Sequence, residues 1–244
     1  ATWIMNIGIL KADKVRPELV DEFGEYPDMF RRLLLAAEPN LTIVTYDVMS
    51  GEYPNDINDV DGYVITGSKM SVYDEVNWIR KLGQFVQQLH KVRKKLVGIC
   101  FGHQMVAHVL GGRTAKSDKG WGVGIHKSLF THAAREHGFE GDAYNLVCSH
   151  QDQVVTPAPA SVVLASNDFC PYSMLKVEDH ILTLQGHPEF TPEFSRSLLE
   201  LRRDILGETC YQQGVRSLIQ NTDAQDVGKW IVNFLKSDSK KLEL

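Results

Sequence analysis

The chain has 244 residues, 43% of them hydrophobic and 23% charged, a composition typical of a soluble globular protein with length enough for a sizeable core. A net charge of −5 leaves no basic footprint for nucleic acid or an anionic membrane, and no apolar run approaches the ~20 residues that span a bilayer. The four cysteines, Cys100, Cys148, Cys170 and Cys210, form no CxxC pair and no metal-type spacing with histidine, so reduced thiols and a cytoplasmic location are expected.

In chain order, the apolar run Ile4 to Leu10 predicts a buried parallel strand, too short and without the basic leader of a signal peptide. Lys11 to Glu25 is polar, contains Pro17, and is expected to be a loop near the C-terminal edge of the sheet. Met29, Phe30, Leu33, Leu34 and Ala37 recur at helical spacing over Tyr26–Ala37, and Pro39-Asn40 stops that helix. Leu41 to Val48 and Asp61 to Gly67 predict the next strands. A helix follows over Trp78–Val92, with Ile79, Leu82, Phe85, Val86 and Leu89 on its apolar face. Alternating strands and helices imply a mostly parallel sheet covered by helices on both faces. After Arg113 the pattern changes. Short strand-like runs at Gly120–Ile125, Ala143–Cys148, Val162–Ala165, Tyr172–Val177 and His180–Leu184 suggest added antiparallel strands, and helices over Pro192–Leu206 and Asp223–Leu235 close the chain. With no linker and no repeat, a single domain over 1–244 is expected. Residues 236–244 should fray, and Lys241-Leu242-Glu243-Leu244 could belong to an appended tail.

The densest chemistry lies in Lys95-Leu96-Val97-Gly98-Ile99-Cys100-Phe101-Gly102-His103-Gln104. A buried strand ends abruptly at Cys100 and becomes a helix, with glycine two residues before and two after. This is the spacing of a nucleophile elbow, with cysteine at the apex. Glycines are needed there because side chains would meet the neighbouring strand and helix. The apex thiol would sit at a helix N-terminus, where the partial positive charge favours thiolate. The alternative is a small buried cysteine at the end of a core strand, the commonest fate of a free thiol.

A thiol nucleophile needs a base, and the base an orienting group. His90, His126, His132, His137 and His180 fall in polar loops or on solvated helix faces. His108 is expected to pack, and His103 to point along its helix rather than back at the apex. His187 instead follows the apolar run Ile181–Leu184 and precedes Pro188, which biases it to extended backbone. Glu189, two residues on, would then share its side and could accept from the second ring nitrogen. Taken alone, the segment is equally a structural turn capping the helix that starts near Pro192.

Together, the elbow and the downstream Gly186-His187-Pro188-Glu189 resemble the class I (triad) glutamine amidotransferases. Thr66-Gly67-Ser68 through Asp74 is similar to that family's oxyanion strand, and Ser149-His150-Gln151-Asp152-Gln153-Val154 to its Ser-His-x-Asp-x-Val segment. The likeness runs from about Ile4 to Glu189 in the family's order. Gly67-Ser68-Lys69 stands where the family commonly has Gly-Gly-Pro, and Gly186 where an aromatic residue often precedes the histidine. Both variants, with the Gly120-Trp121-Gly122 turn, are closer to the stand-alone branch resembling the amidotransferase domain of GMP synthase and the γ-glutamyl peptidases.

The resemblance implies a flavodoxin-like α/β fold and a triad of Cys100, His187 and Glu189. It implies an oxyanion hole at Gly67 and Phe101, and substrate contacts from Gln104, Ser149, His150, Gln151 and Asp152. The implied reaction is hydrolysis of the γ-carboxamide of glutamine through a γ-glutamyl thioester, releasing ammonia for an acceptor, with no cofactor or metal. The expected partners are a small-molecule substrate and an ammonia-accepting synthase subunit, with no nucleic acid and no membrane. A γ-glutamyl peptidase and a non-catalytic binding protein on the same fold are the alternatives.

Overall fold

The computed structural model describes residues 3–237; of the stretch 236–244 expected to fray, Lys236 is instead the last residue of a helix and pairs with Glu38, while residues 238–244 and the question of an appended tail lie outside the described residues. The first half runs β1 (Asn6–Lys11), α1 (Pro17–Phe23), α2 (Tyr26–Ala37), β2 (Thr42–Asp47), β3 (Gly62–Ile65), α3 (Asn77–Lys91), β4 (Lys95–Ile99) and α4 (Phe101–Val109). The second half runs β5 (Arg113–Lys116), β6 (Gly122–Phe130), α5 (His132–Glu136), β7 (Ala143–His150), β8 (Asp152–Thr156), β9 (Ser161–Ser166), β10 (Met174–Val177) and β11 (Ile181–Leu184). It closes with α6 (Pro192–Leu201), α7 (Arg203–Leu206), α8 (Glu208–Ser217) and α9 (Ala224–Lys236).

The main sheet has the order β2-β1-β3-β4-β11-β10-β9-β6-β7. Its first five strands are all parallel, and from β11 onward each neighbour is antiparallel. Side chains alternate across the strands, so the parallel half buries both faces. Ile7, Ile9, Val64 and Val97 meet Phe30 and Leu34 of α2 and Val227 and Ile231 of α9 on one side. Leu10, Tyr63, Ile65 and Leu96 meet Leu82 and Val86 of α3 and Phe101 and Met105 of α4 on the other. The result is an α/β fold with helices on both faces and an antiparallel extension. β5 and β8 form a separate antiparallel ribbon beside it.

Three local expectations are corrected. Lys11–Glu25 is not all loop: it contains α1, with Pro17 at the first helical position, where a missing N–H costs nothing, and with Leu19 buried. The helix expected over Pro192–Leu206 breaks at Arg202 into α6 and α7, and α8 follows it. Finally, His180 is not solvated but buried, with its Nε2 2.9 Å from His90 Nδ1.

Candidate active site

Cys100 stands between β4 and α4 with φ 54° and ψ −103°, a left-handed conformation that costs a non-glycine residue about 1–3 kcal/mol. The packing around it leaves the chain little choice. A Cβ on Gly98 would lie 2.6 Å from the backbone C and O of Gly102, and one on Gly102 2.7 Å from Ile65 Cβ and 2.8 Å from Ile65 O. Helix α4 therefore sits directly on β3 and β4 at this point, and its first turn carries Cys100 at the N-cap. Phe101 is the first helical residue, so its N–H has no partner within the helix.

β11 lies parallel to β4, with Leu184 in register with Ile99, and the Cys100 N–H donates to Leu184 O at 2.8 Å. The segment leaving β11 thus emerges beside the apex. The Gln185 amide donates to Cys100 Sγ at 3.5 Å, and the His187 N–H to Val147 O at 2.8 Å, bracing the segment against β7. His187 and Glu189 are both buried, with His187 Nδ1 2.9 Å from Glu189 Oε2. The imidazole also lies flat on Phe190, centroids 3.9 Å apart and planes 4° from parallel. A Cβ on Gly67 would lie 2.9 Å from His187 Cε1 and 3.5 Å from Cys100 Cβ, so one backbone position is flanked by both groups.

Burial alone would lower the His187 pKa. Glu189 and Cys100 outweigh it and raise the imidazole above its ordinary value near 6.5. A raised folded-state pKa contributes stability that is fully present below the unfolded value and is lost as pH rises through the folded one. Thermal stability is therefore expected to decline from about pH 6.5 into the alkaline range, and Glu189→Gln to flatten that decline. Melting curves at several pH values check this; equal slopes for both chains would remove Glu189 as the cause.

The remaining predicted site residues surround the thiol. Gln104 is buried, and its Nε2 donates to Asp152 O at 2.8 Å and Gln185 Oε1 at 3.2 Å, tying α4 to the β7–β8 turn. Ser149 Oγ accepts from Arg202 at 2.7 Å, and the Asp152 carboxylate accepts from Ser71 at 2.5 Å and Tyr73 at 2.7 Å. His150 is turned onto its own chain, Nδ1 2.9 Å from Asp152 O, and burial pushes its pKa down to about 3. Gln151, like Cys100, Gln104 and Asp152, lines a cleft of about 280 Å³. His103 is buried and engaged elsewhere, its Nδ1 2.7 Å from Thr183 Oγ1 on β11.

Asp13, Tyr26 and Arg202 also line this cleft, and sequence reasoning did not single them out. The placement of the Lys11–Glu25 segment near the sheet edge was the only signal for the first, and nothing in the helical pattern marked Arg202. Among the described residues, His90, Glu178 and His180 alone bring three potential metal-ligand side chains within 4.8 Å of one another. They sit at the opposite sheet edge, where β11 begins, and the two imidazoles bond to each other.

An open α/β sheet with a thiol on a strained strand-to-helix apex, and a buried His–Glu pair just beyond the adjoining strand, defines an elbow-type thiol protein. The chain belongs to the class-I glutamine amidotransferase family, whose model matches residues 18–201. A glutamine amidotransferase-like protein of Schizosaccharomyces pombe is 32% identical over 244 residues, 94% of this chain and 98% of that one. Gamma-glutamyl peptidase 3 of Arabidopsis thaliana is 33% identical over 180 residues, covering 70% of this chain and 66% of the peptidase. GMP synthase of Caldanaerobacter subterraneus is 28% identical over 199 residues, 79% of this chain but only 36% of the synthase. In fold, a glutamine amidotransferase from Thermotoga maritima superposes with a TM-score of 0.70 at 17% identity, covering 95% of this chain and 98% of that one. No helix among the described residues is long and apolar enough to cross a membrane.

Proposed function

We propose that the chain hydrolyses the amide bond at the γ-carbon of a γ-glutamyl compound, glutamine being the simplest, with Cys100 as nucleophile. The Cys100 thiol passes its proton to His187, the thiolate attacks the γ-carbonyl, and the N–H groups of Gly67 and Phe101 hold the resulting oxyanion. His187 gives its proton to the departing amine, the C–N bond breaks, and a γ-glutamyl thioester remains. His187 then takes a proton from water, whose oxygen displaces the sulfur and releases glutamate. Glu189 fixes the tautomer and orientation of His187 throughout. Gln104 and the Ser149-His150-Gln151-Asp152 segment bind the amino-acid end of the substrate.

The observation that supports this most is the juxtaposition at Gly67: a thiol held on strained backbone and an imidazole backed by a buried carboxylate flank one position. A structural His-Pro-Glu turn gains nothing from an apex cysteine at φ 54°. The aligned peptidase and synthase both carry names that imply γ-glutamyl chemistry, which fits the same reading.

The test is incubation with glutamine and with a γ-glutamyl dipeptide, following glutamate, ammonia and free amine. Glutamate release, with loss of activity on labelling of Cys100 by a glutamine-like chloroketone, is the expected result. No turnover of either compound and no labelling would leave a binding protein on this fold. A second reading, in which ammonia passes to an acceptor subunit, draws on the alignment with GMP synthase. It predicts weak glutaminase activity that a partner stimulates.

A further inference from the structure

Arg202 is the unexplained charge at this site. It occupies the turn between α6 and α7, half-buried, and lines both cavities that touch Cys100. A guanidinium carries five donors. Here it makes a single hydrogen bond, to the neutral Ser149 Oγ at 2.7 Å, and lies 5.9 Å from the Trp121 ring. Among the described residues no carboxylate forms an ion pair with it; Asp13 and Cys100 act on it only through space. A partly desolvated cation with no counter-ion in contact is costly, and such groups are normally paired directly. The arrangement suits an anion supplied from outside the chain.

The two cavities indicate which part of a substrate would supply it. The smaller, about 30 Å³, is bounded by Cys100, His187, Gly67, Lys69 and Arg202. The larger adds Gln104 and Asp152, where the amino-acid end is placed under the proposed function. The departing amine receives its proton from His187, so it leaves on the His187 side, along the wall that Lys69 and Arg202 share. The charge there is lopsided. Lys14, Arg16, Lys69, Lys116 and Arg202 all line the cleft of a protein whose net charge is −5. Two of these cations are already paired, the Lys69 ammonium with Asp13 at 3.7 Å and Arg16 with Glu18 at 3.1 Å, and Asp152 accepts from Ser71 and Tyr73, so among the described residues Lys14, Lys116 and Arg202 line the cleft outside any ion pair. A cationic cleft of this kind draws in anions, and a guanidinium fork matches a carboxylate. Ammonia as leaving group would use neither.

We propose that Arg202 receives a carboxylate on the leaving amine, so that the substrates are γ-glutamyl compounds whose released amine is an amino acid or short peptide. This rests on the hydrolytic reading above and narrows it. Arg202 touches substrate but not the reacting atoms, so it sets specificity rather than rate.

The test uses the chain carrying Cys100→Ala, which cannot turn over, and calorimetric binding of γ-glutamylglycine and of its C-terminal amide. These ligands differ only in the charge on the leaving portion. The acid is expected to bind about tenfold tighter than the amide, in line with one charge-assisted hydrogen-bonded pair. Adding Arg202→Gln should bring that ratio close to one, and Arg202→Lys should retain part of it, with melting curves checking that each variant is folded. No binding of the acid, or equal binding of acid and amide, overturns the proposal. So does equal weakening of both by Arg202→Gln, which would place Arg202 on the glutamyl α-carboxylate. Hydrolysis by the chain with Cys100 intact is followed separately. Discrimination without hydrolysis sinks the hydrolytic reading and keeps the receptor; hydrolysis without discrimination does the reverse.

Discussion

Cys100→Ala is expected to lower glutamate release from γ-glutamyl amides by at least about 10⁴-fold while leaving the chain folded, the scale seen when a covalent nucleophile is removed. The reasoning is local. Alanine keeps the Cβ and the same backbone strain at φ 54°, so the elbow has no new reason to move. What disappears is the sulfur, the acceptor of the Gln185 amide and the neighbour that helps to raise the His187 pKa. His187→Ala should cost a similar factor, and the double variant little more than either single one, because the two groups act as a unit. Steady-state assays of the four chains, with circular dichroism as the check on folding, measure this. Activity of Cys100→Ala within tenfold of the parent would remove the thiol from the chemistry.

The elbow was legible because its constraint is written in residue types. Gly98, Cys100 and Gly102 at two-residue spacing between an apolar strand and a buried helix leave few folds open, and the contacts at Gly102 and Ile65 supply the steric cause. The parallel half of the sheet was legible for a related reason, since Ile7, Val64 and Val97 fall in continuous apolar runs of the kind strands buried on both faces require. The second half was harder. β5 and β8 pair across the segment from Lys116 to Asp152, and nothing local in Arg113–Lys116 announces a strand whose partner is that distant. Helix α1 was missed because Pro17 ends helices as readily as it begins them. Arg202 was invisible for a third reason. A cation on a polar helix face looks the same in sequence whether it meets solvent or overhangs a cleft. The break between α6 and α7 falls at Arg202 itself and leaves its side chain on Ser149, a partner 53 residues away in sequence.

The site also explains why so many elements converge on one sheet edge. β3 contributes Gly67, β4 the thiol, β11 the His–Glu pair, and β7 the Ser149–Asp152 segment, and each arrives there because its strand ends at that edge. In open parallel sheets the C-terminal ends of strands are where backbone N–H groups and helix N-termini become available to a ligand. The antiparallel extension adds a wall. β7 anchors His187 through Val147 O and then turns at Gln151 toward the ribbon that Gln104 ties back to α4.

Gly98→Ala and Gly102→Ala are each expected to cost about 3 kcal/mol of stability, at the upper end of ordinary overpacking. For a chain of this size that corresponds to a fall in melting temperature of roughly 6–12 °C. The figure is high because the obstacles are backbone. The Gly98 methyl would meet the C and O of Gly102 at 2.6 Å and the His103 N at 2.9 Å, and the Gly102 methyl the carbonyl of Ile65 at 2.8 Å. No side-chain rotation relieves such contacts, so α4 must lift from β3 and β4, carrying Cys100 and the Phe101 N–H with it. A displacement approaching 1 Å at reacting atoms costs on the order of 10²-fold in rate, so activity should fall even at temperatures where both variants are folded. The two substitutions push the same helix away from the same strands. The double variant should therefore lose less stability than the sum of the singles, as neighbouring sites do when one shift accommodates both. Melting curves and turnover for the three chains decide the matter. Either single variant melting within a degree or two of the parent, with turnover intact, would mean that α4 has slack at this point and that the strain at Cys100 is not imposed by its packing.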